Sequence, residues 1–347
     1  MQALWTLSIP LLTLAGWLAA RAGGPGWLWW SGALFALVLH PMIDNFLAPL
    51  RPEEAAPKGR LPEALLGASL PLQALVLTAA LGLAAGFETG SMEFWAVTLG
   101  CGLSAGAYGI TAAHELVHRS SRFERAIGVG NLVLCAFAHF RVAHVFIHHR
   151  IVGTHEDQDT ARPGEGLYAF WVRSLGLGFV RSVQLELRRG WWNRAVRDLG
   201  AQGVLVLLIG AGFGGRGLLL FAVQSLVAWT LLTTVNYLEH YGLQRREVAP
   251  GVLEPQAARH SWESRHRLTN AVLFRLGLHP HHHLQASRPF EELFPAAGAP
   301  QLPFGYSLAL LVALVPPLWR RIMDPLAREA MADESPKIPV QARATAR

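Results

Sequence analysis

Six stretches of this chain contain no aspartate, glutamate, lysine or arginine: residues 1–20, 22–43, 64–87, 94–113, 199–215 and 217–238. A helix needs about 20 apolar residues to cross a bilayer. Five of the runs reach that length, and 199–215 lies at its lower edge. The expected fold class is therefore all-α: an integral membrane protein with about six transmembrane helices. Composition agrees, since only 16% of the 347 residues are charged, against roughly 25% in soluble domains. The first run lacks a basic leader region and is as long as its successors, so it is read as a span and not as a cleavable signal.

Arginine and lysine in the loops set the orientation. The 51–60 loop carries Arg51, Lys58 and Arg60, whereas 88–93 carries Glu88 and Glu93 and no basic residue. The 119–198 segment has twelve arginines against seven acids. These biases predict cytoplasmic termini, cytoplasmic 51–60 and 119–198 segments, and external connections at 21–26, 88–93 and 214–216. Residues 126–140 are apolar but too short to span and predict an interfacial or re-entrant helix. Residues 304–319 predict a hydrophobic helix at the membrane face. Residues 1–330 are expected to form a single domain, and 331–347 a disordered polar tail.

The histidines are placed by this topology. His114-Glu115-Leu116-Val117-His118 ends the fourth run, and its i, i+4 pair lies on one helix face. His144, His148 and His149 fall in the loop that follows. His240 stands just past the sixth run, and His279, His281, His282 and His283 come after it. Even-numbered spans end on one side, so every cluster faces the same compartment, which is the cytoplasm.

H-E-x-x-H alone is the zinc metalloprotease signature, with the glutamate as general base. About nine converging imidazoles exceed what one catalytic zinc takes and suit two metal ions. The two cysteines, Cys101 and Cys135, form no C-x-x-C. No thiolate site is expected, and any iron–sulfur electron carrier must be a separate protein. Glu115, Asp157 and Glu239 lie in or beside the histidine boxes and are candidate supporting groups. Asn236, one turn before His240, is a fourth, because a polar group at membrane depth is costly unless paired. His281 reads as a spacer. His40, His139, His155, His260 and His266 read as ordinary polar histidines, and Glu263-x-x-His266 is discounted as a ligand pair.

HELVH, H-x-x-x-H-H, N-Y-x-E-H-Y-G and H-x-x-H-H, in this order, resemble the membrane-bound alkane monooxygenases of the fatty acid desaturase and hydroxylase superfamily. The resemblance runs from about Pro41 to Leu326 and takes in the stretch "GTHEDQDTARPGEGLYAFWVR". It implies a six-helix enzyme of the bacterial inner membrane with a cytoplasmic di-iron cap. Such an enzyme hydroxylates the terminal methyl of an alkane or similar lipophilic substrate, using O₂ and electrons from a rubredoxin or ferredoxin with its reductase. The ligands the resemblance implies are His114, His118, His144, His148, His149, His240, His279, His282 and His283, with their division between two irons open.

The chain departs from the family pattern at Ala143, where the second box usually has glutamate, and at Ile147, usually glycine. In Gly277-Leu278-His279-Pro280-His281-His282-His283 the usual arginine and aspartate of the last box are lost. A fatty acid desaturase and an aromatic-methyl monooxygenase are the alternatives within the class, and a membrane zinc protease is a remote one. No nucleic-acid partner is expected. The basic 119–198 segment suits an acidic electron carrier.

Overall fold

A computed structural model describes residues 2–51, 54 and 59–332. Lys58 and the expected tail from residue 333 onward lie outside the described residues. The chain is helical nearly throughout. Among the described residues the only strands are β1 (Glu247–Ala249) and β2 (Val252–Leu253), which pair as a small antiparallel hairpin.

The charge-free runs become the long helices, as backbone hydrogen bonding in lipid demands. α1 (Leu4–Arg21) and α2 (Gly26–Asp44) take the first two. The third is split into α3 (Arg60–Gly67) and α4 (Ser69–Ala84), bent by 40° at the junction. The fourth forms α5 (Met92–Leu116), capped by Ser91 Oγ accepting from the Phe94 amide at 3.2 Å. α6 (Arg122–Val133) follows, then α7 over 140–151, whose middle is a π-helical turn (Ala143–His148), and α8 (Leu167–Leu187).

The fifth and sixth runs, expected as two spans, are two helices that meet at a kink within α9 (Arg194–His240). The break is at Gly214, with φ 60°, ψ −157°, a conformation that glycine alone adopts cheaply. The short α10 (Arg267–Val272) and α11 (His279–Leu284) come next, then α12 (Tyr306–Ala313) and α13 (Pro316–Ala332). The helix expected over 304–319 is thus two helices, bent by 119° where Pro316 and Pro317 start a new one. Met331 and Ala332, expected in the disordered tail, complete the last turn of α13. Residues 126–140, expected as one short helix, end α6 and turn at Ala136, whose φ is 54°. Four helices are long and apolar enough to cross a membrane, and up to six segments are if each bent pair counts as one.

α5 is the central post. Its most apolar window is 89% buried within the protein, against 33% for α1, 28% for α2 and 22% for α9. Such outward-facing apolar helices belong against lipid. The short connections gather at one end: Arg216 Nη1 donates to the Ala85 carbonyl at 2.8 Å, and Trp29 meets Phe87 edge-on with ring centroids 5.3 Å apart. The histidines collect at the opposite end. There Tyr237, Tyr241 and Trp319 tie α9 to α13 through ring contacts of 5.1–5.6 Å.

Candidate metal centre

Four segments deliver the histidines. α5 gives His114 from its last turn and His118 from the turn just past its end, and α7 gives His144, His148 and His149. α9 ends on His240, and α11 gives His279, His282 and His283. Adjacent residues on a helix diverge by about 100°. The doublets His148-His149 and His282-His283 therefore point in different directions, and the structure uses that divergence.

Two groups result. In the first, potential ligand atoms of His114, His118, His144 and His282 lie within 4.8 Å of one another. His149 joins them, its Nε2 3.0 Å from His144 Nε2 and 3.2 Å from His282 Nε2. In the second, His148, His240, His279 and His283 satisfy the same limit. Here His283 Nε2 stands 2.8 Å from His279 Nε2 and 3.2 Å from His148 Nε2, and His240 Nε2 stands 3.2 Å from His279 Nε2. The carboxylate Glu239 Oε2 lies 3.2 Å from His279 Nε2, on the same side.

This donor set fits metal ions. Burial, with neighbouring imidazoles adding to it, pushes His149, His282 and His283 well below the ordinary histidine range. These rings stay neutral and keep a lone pair. Converging neutral imidazoles cannot all hydrogen-bond one another. His114 Nε2, His118 Nε2 and Glu239 Oε2 are buried without a hydrogen-bond partner among the described residues. A shared cation answers such a set of lone pairs, and imidazole suits zinc, copper, iron and nickel.

Two of the rings, His148 and His240, are held on their far sides as ligand histidines usually are. Asp157 Oδ2 accepts from His148 Nδ1 at 2.8 Å, and Asp157 is itself fixed by Thr160 Oγ1 at 2.7 Å and the Asp159 amide at 3.1 Å. Burial raises the Asp157 carboxyl, but His148 and these hydrogen bonds outweigh it and hold it below the usual carboxylate range. His240 Nδ1 donates to the His260 carbonyl at 3.2 Å. Glu239 Oε1 accepts from Tyr306 Oη at 2.8 Å.

The other expected residues sit elsewhere. Glu115 points away from both groups, to Arg119 at 2.8 Å and the Phe290 amide at 3.2 Å. Asn236 borders a small pocket with Phe140, Asp159 and Ser174, outside both groups. His281 packs against Phe294, centroids 3.9 Å apart. Glu263 accepts from the Ala296 amide and Gln301 Nε2, and His266 faces Ser264, so that pair has no part in the centre. Tyr306 and the His260 carbonyl escape the sequence reading. Tyr306 lies in an apolar stretch with no motif, and a carbonyl has no sequence signature.

An apolar cavity of about 70 Å³ lies near the centre. Its wall includes Leu103, Gly106 and Ala107 of α5, Leu231 and Val235 of α9, and Leu310 of α12. Thr111, one turn before His114, and Tyr306, bonded to Glu239, mark its approach to the two groups.

A fatty acid desaturase family model matches residues 91–310, a range that holds every histidine of the two groups. Alkane 1-monooxygenase 1 of Pseudomonas aeruginosa is 35% identical over 95% of this chain and 91% of its own length. The chain belongs to the membrane-bound alkane 1-monooxygenases of the fatty acid desaturase family. The alkane 1-monooxygenase of Ectopseudomonas oleovorans is 33% identical over 93% of this chain and 84% of its own. The hydroxylase component of a xylene/toluene monooxygenase from Pseudomonas putida is similar at 27% identity, over 90% and 85% respectively. With Ala143 in the second box, the carboxylate on His148 comes from Asp157 of the following loop.

Proposed function

We propose that this chain hydroxylates an unactivated C–H bond, the terminal methyl of an alkane or similar lipophilic molecule, with O₂. As a family member it is a monooxygenase of the membrane. The observation that carries the reading is the pairing of two buried imidazole groups with an apolar cavity that ends beside them.

His114, His118, His144, His149 and His282 would hold one iron, and His148, His240, His279 and His283 the other, with Glu239 beside the second. Held there, two redox-active ions would supply the electrons for O₂ and the oxidising power that no side chain has. The chain's own groups do the rest. Asp157 keeps His148 in the tautomer whose Nε2 lone pair faces inward. Tyr306 fixes the Glu239 carboxylate by donating to Oε1. The cavity wall sheds water from the greasy chain and aims its end at the centre.

We place the centre on the cytoplasmic face of a bacterial inner membrane, following the positive-inside bias, and take residues 1–330 as one catalytic unit. The electron donor is a separate rubredoxin or ferredoxin with its reductase, drawn to the +5 surface of the 119–198 segment. The protease reading fails at Glu115, whose carboxylate is committed to Arg119 and the Phe290 amide.

Metal analysis of the purified protein, with Mössbauer spectra of iron-57-grown material, tests this. Two coupled irons per chain are expected, and octane should yield 1-octanol when a rubredoxin system is added. One zinc and no iron would overturn the reading. Iron with double-bond formation in a fatty acyl chain would point to the desaturase, and turnover of methylarenes alone to the aromatic-methyl enzyme.

A further inference from the structure

The apolar cavity has one polar spot that the hydroxylation just described leaves unused. His40, 2% exposed, lines it from α2, and Ser307 lines it from α12. Ser307 Oγ pairs with His40 Nδ1, and the imidazole stacks on Phe35 with centroids 6.0 Å apart. His40 Nε2 is left buried and without a hydrogen-bond partner among the described residues.

The Leu268 carbonyl lies by the ring without closing a well-formed hydrogen bond to this nitrogen, and the neighbouring side chains are engaged elsewhere. Asp44, one turn on, is occupied by the Leu268 and Thr269 amides and the Thr269 hydroxyl. Thr111 Oγ1 donates within its own helix to the Ala107 carbonyl, and Tyr306 Oη is engaged with Glu239. An unpaired imidazole nitrogen in an apolar wall is costly. A plain alkane offers it nothing, whereas an oxygen atom on the bound chain would complete it.

We propose that His40, set by Ser307, binds an oxygen carried by the alkyl chain in this cavity, so that the preferred ligand is an oxygen-bearing chain and not a bare alkane. The proposal rests on reading the cavity as the substrate's. The oxygen has two sources: an ether or ester group of the substrate, distinct from the methyl attacked, or the hydroxyl of the alcohol product.

Equilibrium binding to the full-length protein in detergent micelles separates these, using three ligands of equal heavy-atom count: dodecane, 1-methoxydecane and 1-undecanol. Each affinity is taken relative to dodecane, and wild type is compared with His40→Leu, so that micelle partitioning cancels. The wild type should favour an oxygenated ligand by about 5- to 10-fold, the worth of one hydrogen bond, and His40→Leu should lose that preference. An ether only accepts, so a preference for both oxygenated ligands assigns the site to substrate. A preference for the alcohol alone assigns it to product.

Equal relative affinities in the two proteins, or no binding of any ligand, would overturn the proposal. If His40→Leu does not fold, His40→Phe supplies the same comparison at larger volume, and His40→Gln should retain part of the preference. Binding is read without turnover. A protein that holds the ether through His40 yet hydroxylates nothing would therefore sink only the reading of its activity.

Discussion

His148 and His149 are neighbours in sequence and belong to different groups; so do His282 and His283. Each doublet uses the helical turn angle to serve two centres from one backbone position. His148 also has the only direct carboxylate on its outer nitrogen among the nine. Asp157→Asn keeps the shape and removes the charge that makes the imidazole a stronger donor. Iron affinity at one of the two sites should fall about 10- to 100-fold, read as one iron per chain surviving dialysis where the wild type keeps two. Retention of both irons would show that Asp157 only shapes its loop.

The nine histidines and Asp157 are legible in the sequence because motif spacing carries them. Tyr306 is not, because it reaches Glu239 only through the fold, 67 residues away. His40 reads as an ordinary polar histidine until α12 brings Ser307 to it.

Between elements, the closest approach that matters is α5 against α9. The small residues of "LGCGLSAGAYGITAA" pack α5 closely and also border the apolar cavity. A Cβ at Gly102 would come within 2.7 Å of Val227 Cβ and 3.0 Å of the Gln224 carbonyl, which makes Gly102 a packing residue of the small-residue kind. Gly106, one turn on, meets Leu231 and also lines the cavity. Gly102→Ala should cost about 1–3 kcal/mol through overpacking, seen as a lower unfolding midpoint in detergent. An unchanged midpoint would mean the helices separate freely there. The element boundaries that sequence misses have local causes. The prolines at 316 and 317 turn the C-terminal run by 119°, whereas the break between the fifth and sixth runs, at Gly214, falls where the sequence puts it.

At the scale of the whole molecule, α5, α7, α9 and α11 meet where their histidines do, and lone pairs converge without protein partners. A ligand that binds only the folded state adds its binding free energy to stability. Stripping metal with a chelator should therefore lower the unfolding midpoint, and ferrous iron added back under argon should restore it. A chain equally stable with and without metal would mean that packing alone holds the four segments.

The first of these ligands, His114, and the last, His283, lie far apart in the chain, and neither group is complete without α11. If iron fills the two groups as proposed, it can reach its final coordination only after the ribosome has passed the last histidine box. Until then the earlier histidines wait as neutral rings at the membrane edge. On that reading, the ferrous iron present at that moment, and not during insertion, would decide whether a newly made molecule becomes an oxygenase.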